Sequence, residues 1–424
     1  MQIEDTNKFI EVLHDGVVPA TGCTEPIAVA LGAANCMKYL STKRIDQITA
    51  NVSLNILKNA TAVMVPGTGE AGLKVAAATG ALIGDPNAGL KVIAGIKAGD
   101  VSDILKLAHS DKVEINLAQV PDDLYVDVEV KSGADHVKVW IAGNHTNIFK
   151  ITKNDVTIFE KNRPEAHAKS PLKDFLQTKS LLEVWQFATN VSLKEIEFMQ
   201  QAKTLNLALA QAGLTETYGI RLGQSLYRGS KDLDNQILAY TAAASDARMG
   251  GATLAAMSNS GSGNQGITAT VPVCVTAKAL QVSDEQLTRA LTLSNLTALY
   301  IHAFLPVLSA FCATDSAAMG AAVGIVYLKT NDYQIAMKAV NNMAGDAAGM
   351  VCDGAGCSCA MKVATSVSSM LRSVNLALQG IVIPASNGLV CTDVDQTIRD
   401  IGRLGSEGLK GTDPVVLDIM LNKK

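Results

Sequence analysis

Between residues 249 and 330 the chain carries only six formal charges, Lys278, Asp284, Glu285, Arg289, Asp315 and Lys329, and the stretches 249–277 and 290–314 carry none. A helix without a charged face has no side to give to water, so segments of this kind are buried all round. Polar punctuation argues against a membrane span. The first stretch is rich in Gly and Ser, and the second holds Asn295, His302 and Pro306, whereas a membrane helix needs about 20 predominantly apolar residues. The span therefore predicts a central helix layer enclosed by the rest of the protein. With 424 residues, 48% of them apolar and 18% charged, the chain is too long for one ordinary core and apolar enough to fill more than one.

The flanking sequence changes character twice. Residues 5–14 and 26–40 read as helices, the second following Glu25-Pro26, where proline suits a first turn. Residues 46–57 alternate and predict a strand. The segment KNATAVMVPGTGEAG at 58–72 reads as a Gly/Pro-punctuated loop, followed by an Ala-rich helical segment over 71–82. Across 112–160, the runs KVEINLAQ, LYVDVEVKSG, DHVKVWIAG and VTIFEK alternate with turn signals between them, which predicts an antiparallel meander with one wet face. NRPEAHAKSP at 162–171 reads as a linker. From 172 onward the period is helical, and SLKEIEFMQQAKTLNLALAQAG predicts a helix ending at Gly213 as a C-cap. The expectation is an α+β fold: an α+β domain over 1–170 with an antiparallel sheet, then an all-α domain over 171–424 with a buried central helix layer.

A net charge of −4 and an aromatic content of 4% offer neither the basic field nor the stacking platform of a nucleic-acid binder. No nucleic-acid or membrane partner is expected. The opening MQIEDTNKFIEVLHDG is acidic and lacks an apolar signal region, which predicts a cytoplasmic protein. In that setting the eight cysteines are expected to serve metal binding, catalysis or plain burial, and not a disulfide scaffold. An apolar helical domain also makes a homo-oligomer the expected assembly.

Three motifs could carry chemistry. Cys312, Cys352 and Cys359, with Cys357 between the last two in CDGAGCSCA, are soft donors suited to an iron–sulfur cluster. Their C-x4-C-x-C spacing fits neither a zinc ribbon nor a bacterial ferredoxin, and burial alone would also explain free cysteines. Cys23 in TGCTEP precedes a helix, whose N-terminus could lower its thiol pKa and make it a base or nucleophile; a simple capping turn is the alternative. The loop SNSGSGNQG at 258–266 offers backbone N–H groups and hydroxyls to a carboxylate or phosphate. Further candidates are Lys58 and Asn59, His145 as a proton shuttle or an ordinary histidine, and His302 as a core residue. Asp246 and Arg248 suit either an internal ion pair or the grip on a substrate carboxylate.

Taken in order, TGCTEP, KNA…VPGTG, ARMGG, MSNSGSGNQGI, Cys312 and CDGAGCSCA resemble the L-cysteine desulfidase family, which is related to the alpha part of the iron–sulfur L-serine dehydratases. The resemblance runs from about residue 15 to 415. It implies a [4Fe–4S] cluster held by Cys312, Cys352 and Cys359 with one iron open to substrate, Cys357 being a possible competitor. It implies Cys23 as the catalytic base. Ser260, Gly261, Ser262, Gly263, Asn264 and Gln265 match its substrate loop, with Lys58, Asn59 and His145 as further substrate-binding candidates. The implied activity is a carbon–sulfur lyase that β-eliminates a small amino-acid substrate, L-cysteine, to pyruvate, ammonia and sulfide without pyridoxal phosphate. Two other readings stand beside it: an L-serine dehydratase, and a non-catalytic thiol or iron redox sensor.

Overall fold

The computed structural model describes residues 3–165 and 170–423. Of the expected linker, 166–169 lie outside the described residues. The chain opens with α1 (Ile3–Gly16) and a short strand β1 (Pro19–Thr21). It continues through α2 (Thr24–Tyr39), β2 (Gln47–Val52), α3 (Leu54–Ala60), α4 (Leu73–Ile83) and α5 (Val101–Ala108). Five further strands follow: β3 (Val113–Leu117), β4 (Tyr125–Ser132), β5 (Asp135–Ala142), β6 (Ile148–Lys153) and β7 (Val156–Glu160).

Six of these strands form one sheet in the order β3-β2-β4-β5-β6-β7. The run from β4 to β7 is the expected antiparallel meander. β3 departs from it: it lies on the far side of β2 and pairs with it in parallel, Ile48 opposite Val113, while β2 pairs antiparallel with β4. Alternation along β3 cannot reveal its neighbour. The pairing is set by α4 and α5, which supply the crossover that parallel strands require. The helices α2, α4 and α5 pack on the sheet around a core that includes Ile48, Val128, Val139, Ile141 and Ile104.

The strand expected over 46–57 stops at Val52. Ser53 then takes the backbone N–H of Tyr125 on its hydroxyl and donates to the Asp123 carbonyl, and the chain turns into α3. Lys58 and Asn59 therefore sit in the last turn of a helix and not in a loop.

The second half holds α6 (Pro171–Gln177), α7 (Leu181–Asn190), α8 (Leu193–Ile196), α9 (Gln200–Thr215), α10 (Leu222–Tyr227) and α11 (Leu233–Met249). A strand β8 (Ala255–Met257) precedes α12 (Gly263–Leu280), α13 (Asp284–Ala303), α14 (Ala313–Thr330), α15 (Tyr333–Ala344), α16 (Cys359–Leu378), α17 (Val394–Arg403) and α18 (Thr412–Leu421). The charge-poor span forms the buried layer α12–α13–α14, as its composition required. Several side-chain hydroxyls and amides in that layer find partners inside it. Thr292 donates to the Thr288 carbonyl, Asn295 to Leu291, and Ser294 crosses to the Ala269 carbonyl of α12. The helical core also takes in Phe9, Val12 and Leu13 of α1.

Close helix approach, not capping, accounts for several glycines. α9 runs through Gly213 to Thr215, where a C-cap was expected at Gly213. A Cβ on Gly213 would overlap the Ala243 carbonyl of α11, and one on Gly320 the Ser294 carbonyl of α13. β1 pairs antiparallel with β8, Pro19 opposite Met257, and straps the start of the chain to the helical body. Among the described residues no helix is long and apolar enough to cross a membrane.

Overpacking of a tight seam costs about 1–3 kcal/mol. Gly213→Ala is expected to lower stability by at least that, whereas Gly99→Ala, where an added Cβ meets nothing within 4 Å, should stay within about 0.5 kcal/mol of wild type. Chemical denaturation of both variants checks this.

Candidate active site

The first turns of α2, α12, α14 and α16 all open onto one cavity of about 110 Å³, lined among others by Cys23, Ser262, Cys312 and Cys359. Cys23, Ser262 and Cys312 are the N-cap residues of the first three helices, and Cys359 is the first residue of the fourth. Each helix start leaves unpaired N–H groups and carries a partial positive charge of about half a unit. Four together make a site for anions, whether thiolate or carboxylate.

Backbone pairing gathers the cysteines. Phe311 and Val351 form an antiparallel bridge. The Cys312 N–H donates to the Met350 carbonyl at 2.9 Å, and the Cys352 N–H to the Ala310 carbonyl at 2.6 Å. Two residues 40 apart in sequence are thereby set side by side. The chain then turns at Gly354, whose φ of +98° and whose approach to the Lys58 carbonyl leave no room for a side chain, and reaches Cys359 at the head of α16. All three cysteines line the cavity. Cys357 does not; its thiol faces the Met249 carbonyl at 3.7 Å.

The strap of β1 on β8 brings the Ser/Gly loop beside TGCTEP. Ser258 N–H donates to the Val18 carbonyl, Ser260 N–H to Gly16, and the Thr24 hydroxyl to the Gly261 carbonyl at 2.9 Å. Ser260, Gly261, Ser262 and Asn264 line the cavity, as do Asn59 and His145. Gln265 does not; it donates to the Asn259 and Ser260 side chains and stiffens the loop from behind. Gly263 is likewise off the wall.

Lys58, expected to meet substrate, is also off the cavity and wholly buried. Its Nζ pairs with Asp413 at the start of α18 and donates to the Cys352 carbonyl at 3.2 Å. It clamps the cysteine loop between α3 and α18. Asp246 and Arg248 do not pair with one another. Asp246 accepts the N–H groups of Ile220 and Gly223, and Arg248 turns to the cavity.

The sequence reading missed Glu25. Its Oε2 accepts the Cys23 thiol at 2.9 Å and its Oε1 accepts Asn59 Nδ2 at 3.1 Å. The signal was present in TGCTEP, a carboxylate two residues after the thiol in the same first turn. Electrostatics also correct the expectation for Cys23. Burial, and then the Glu25 carboxylate, push its thiol up, against a smaller downward pull from Arg248. The helix N-terminus does not win. Burial pushes the Glu25 carboxyl up as well, but His145, the Cys23 thiol and Arg248 outweigh it and hold the group below its usual range. Burial lowers His145, and its Nε2 is buried without a hydrogen-bond partner among the described residues. Burial and neighbouring Cys352 raise Cys359 to about 11.

The family description "serine dehydratase alpha chain" matches residues 103–418. The chain belongs to the serine dehydratase alpha chain family. The match takes in His145, Arg248, the Ser/Gly loop and the three cavity cysteines. Relatives extend over nearly all of the chain. A UPF0597 protein of Latilactobacillus sakei is 63% identical over 425 residues, 98% of each chain. One of Actinobacillus pleuropneumoniae serotype 3 is 44% identical, covering 98% of this chain and 97% of its own. One of Cutibacterium acnes is 49% identical over 81% of this chain and 99% of its own. Family membership makes this a serine dehydratase-like chain of lyase type.

Removing one partner of a buried ion pair leaves an uncompensated charge and costs about 3–5 kcal/mol. Lys58→Met is therefore expected to destabilise the protein by that order, and Lys58→Met with Asp413→Leu to recover much of it. Denaturation of single and double variants measures the coupling.

Proposed function

We propose that the protein is an iron–sulfur-dependent lyase that β-eliminates L-cysteine, giving pyruvate, ammonia and sulfide. The observation that carries this reading is the meeting of Cys312, Cys352 and Cys359 with Cys23 and the Ser/Gly loop around one buried cavity. Among the described residues no group of three or more His, Cys, Asp or Glu side chains is set to hold a metal ion. The donor chemistry fits a larger inorganic body. Three soft thiols face one cavity beside helix N-termini that favour thiolate, and Gly354, Ala355 and Gly356 keep the loop slim.

Cys312, Cys352 and Cys359 would hold a [4Fe–4S] cluster, which when bound supplies an open Lewis-acid iron for the leaving sulfur. The chain's own residues do the rest. The Ser260–Asn264 loop receives the α-carboxylate on backbone N–H groups and hydroxyls. Cys23 takes the proton from Cα as its own thiol proton moves to Glu25, already in hydrogen-bond contact, so that no free thiolate has to form beside the carboxylate. Asn59 fixes the Glu25 carboxylate. His145, lowered by burial and with an Nε2 that has no partner among the described residues, is placed to hold the amino group or move its proton. Loss of the β-thiolate leaves aminoacrylate, and water converts it to pyruvate and ammonia.

The family description favours a second reading, in which L-serine is the substrate and hydroxide the leaving group. The cavity polar groups suit either amino acid.

Anaerobically prepared protein is expected to be brown, to contain iron and acid-labile sulfide, and to form pyruvate from L-cysteine faster than from L-serine. A reversed preference would install the serine reading, and colourless, iron-free protein that still releases sulfide would overturn the cluster. Cys23→Ser is expected to keep iron and spectrum and lose turnover by about 10²-fold or more. Cys312→Ser should lose both.

A further inference from the structure

Arg248 closes α11 and is only 5% exposed. Its Nη2 donates to the Gly22 carbonyl at 3.0 Å and its Nη1 contacts Met249 Sδ at 3.1 Å. Its Nε is buried without a hydrogen-bond partner among the described residues. Asp246, two residues earlier on the same helix end, is committed to two backbone N–H groups. The Glu25 carboxylate attracts the guanidinium through space but makes no bond to it, and a buried guanidinium with an unfilled donor is costly. The fold nonetheless keeps it, and makes room for it. A Cβ on Gly263, the first residue of α12, would overlap Arg248 Nε. The chain gives up a side chain so that the guanidinium can lie against the start of α12, itself a centre of positive charge. Two positive features this close are stable together when an anion bridges them from the cavity side.

We infer that Arg248 is the anchor for the substrate's α-carboxylate, which lies in the cavity against the guanidinium and the Ser262–Asn264 start of α12. This rests on the amino-acid lyase reading above and narrows it: the site takes compounds with a free carboxylate next to the amino carbon. The matching amide, of the same size but uncharged there, is rejected. A planar guanidinium grips a carboxylate in a fixed fork, so lysine is only a partial substitute. Gly263 belongs to the same device as the seat of the arginine, which explains why it borders the substrate loop without lining the cavity.

The test compares L-cysteine with L-cysteinamide, and L-serine with L-serinamide, on wild type, Arg248→Met, Arg248→Lys and Gly263→Ala, with iron content and visible spectrum read on every preparation. Wild type is expected to prefer the acid strongly. Arg248→Met should raise KM for the acid by about 10- to 100-fold, the worth of one charge-assisted bond, with a smaller change in kcat. It should also erase the preference for acid over amide and keep its iron. Arg248→Lys should recover part of KM, and Gly263→Ala should behave as a milder Arg248→Met. An unchanged KM, or an undiminished acid preference in Arg248→Met, overturns the inference. Loss of iron with KM unchanged in the residual fraction also overturns it and assigns the charge to the cysteine loop. If wild type turns over neither amino acid, the lyase reading fails on its own. The anchor is then judged by calorimetric binding of pyruvate, weaker in Arg248→Met if the inference holds and equal to wild type if it does not.

Discussion

The structure depends on one constraint: a layer of helices without a charged face must be enclosed, and the ends of those helices must still satisfy their N–H groups. The sides of α12 and α14 are covered by protein. Their N-termini are turned toward one another, with those of α2 and α16, and the unpaired donors gather in one place. A buried gathering of donors needs anions or polar partners. Cys312, Ser262 and Cys23 stand at the cap positions, and Glu25 lies in the first turn of α2. The chemistry of the cavity thus follows from how the apolar layer is closed.

Much of this was legible in the residues. The buried layer followed from the missing charges. The Ser/Gly loop, Cys23 and the three cysteines could be singled out from residue type, and the structure brings them to the same wall. What the sequence could not show is partnership. Alternation in β3 gives a strand but not its neighbour, and the strand sits beside β2. A glycine near the end of a helical run looks like a cap, yet Gly213 is a contact point between two helices. A lysine next to a glycine-rich segment looks solvated or reactive, yet Lys58 is sealed by Asp413, 355 positions away. Each miss concerns a residue whose role is set by something distant in sequence.

The same reasoning explains why Cys23 read alone misleads. A helix N-terminus stabilises a thiolate by up to about 2 kcal/mol in a favourable, partly buried site. Complete burial beside a carboxylate works in the opposite direction with more force. In the folded protein the thiol keeps its proton and shares it with Glu25. The two groups are best regarded as one acid–base unit, held by Asn59 on one side and tied to the Ser/Gly loop through Thr24 on the other.

The two short strands β1 and β8 carry more weight than their length suggests. Cys23 and Glu25 come from the start of the chain, while the Ser/Gly loop, Arg248 and the cysteines come from the helical body. Three paired residues, Pro19 to Thr21 against Ala255 to Met257, set the distance between these groups. Gly22 lies directly after that pairing, at φ +75°, and offers its carbonyl to Arg248. The turn that presents Cys23 and the guanidinium facing it are therefore fixed by a single backbone contact. A shift of one residue in this ribbon would turn Thr21 to the opposite face. It would also carry the Cys23–Glu25 pair out of line with Arg248, so the register of a three-residue strand governs whether the two halves of the cavity face each other at all.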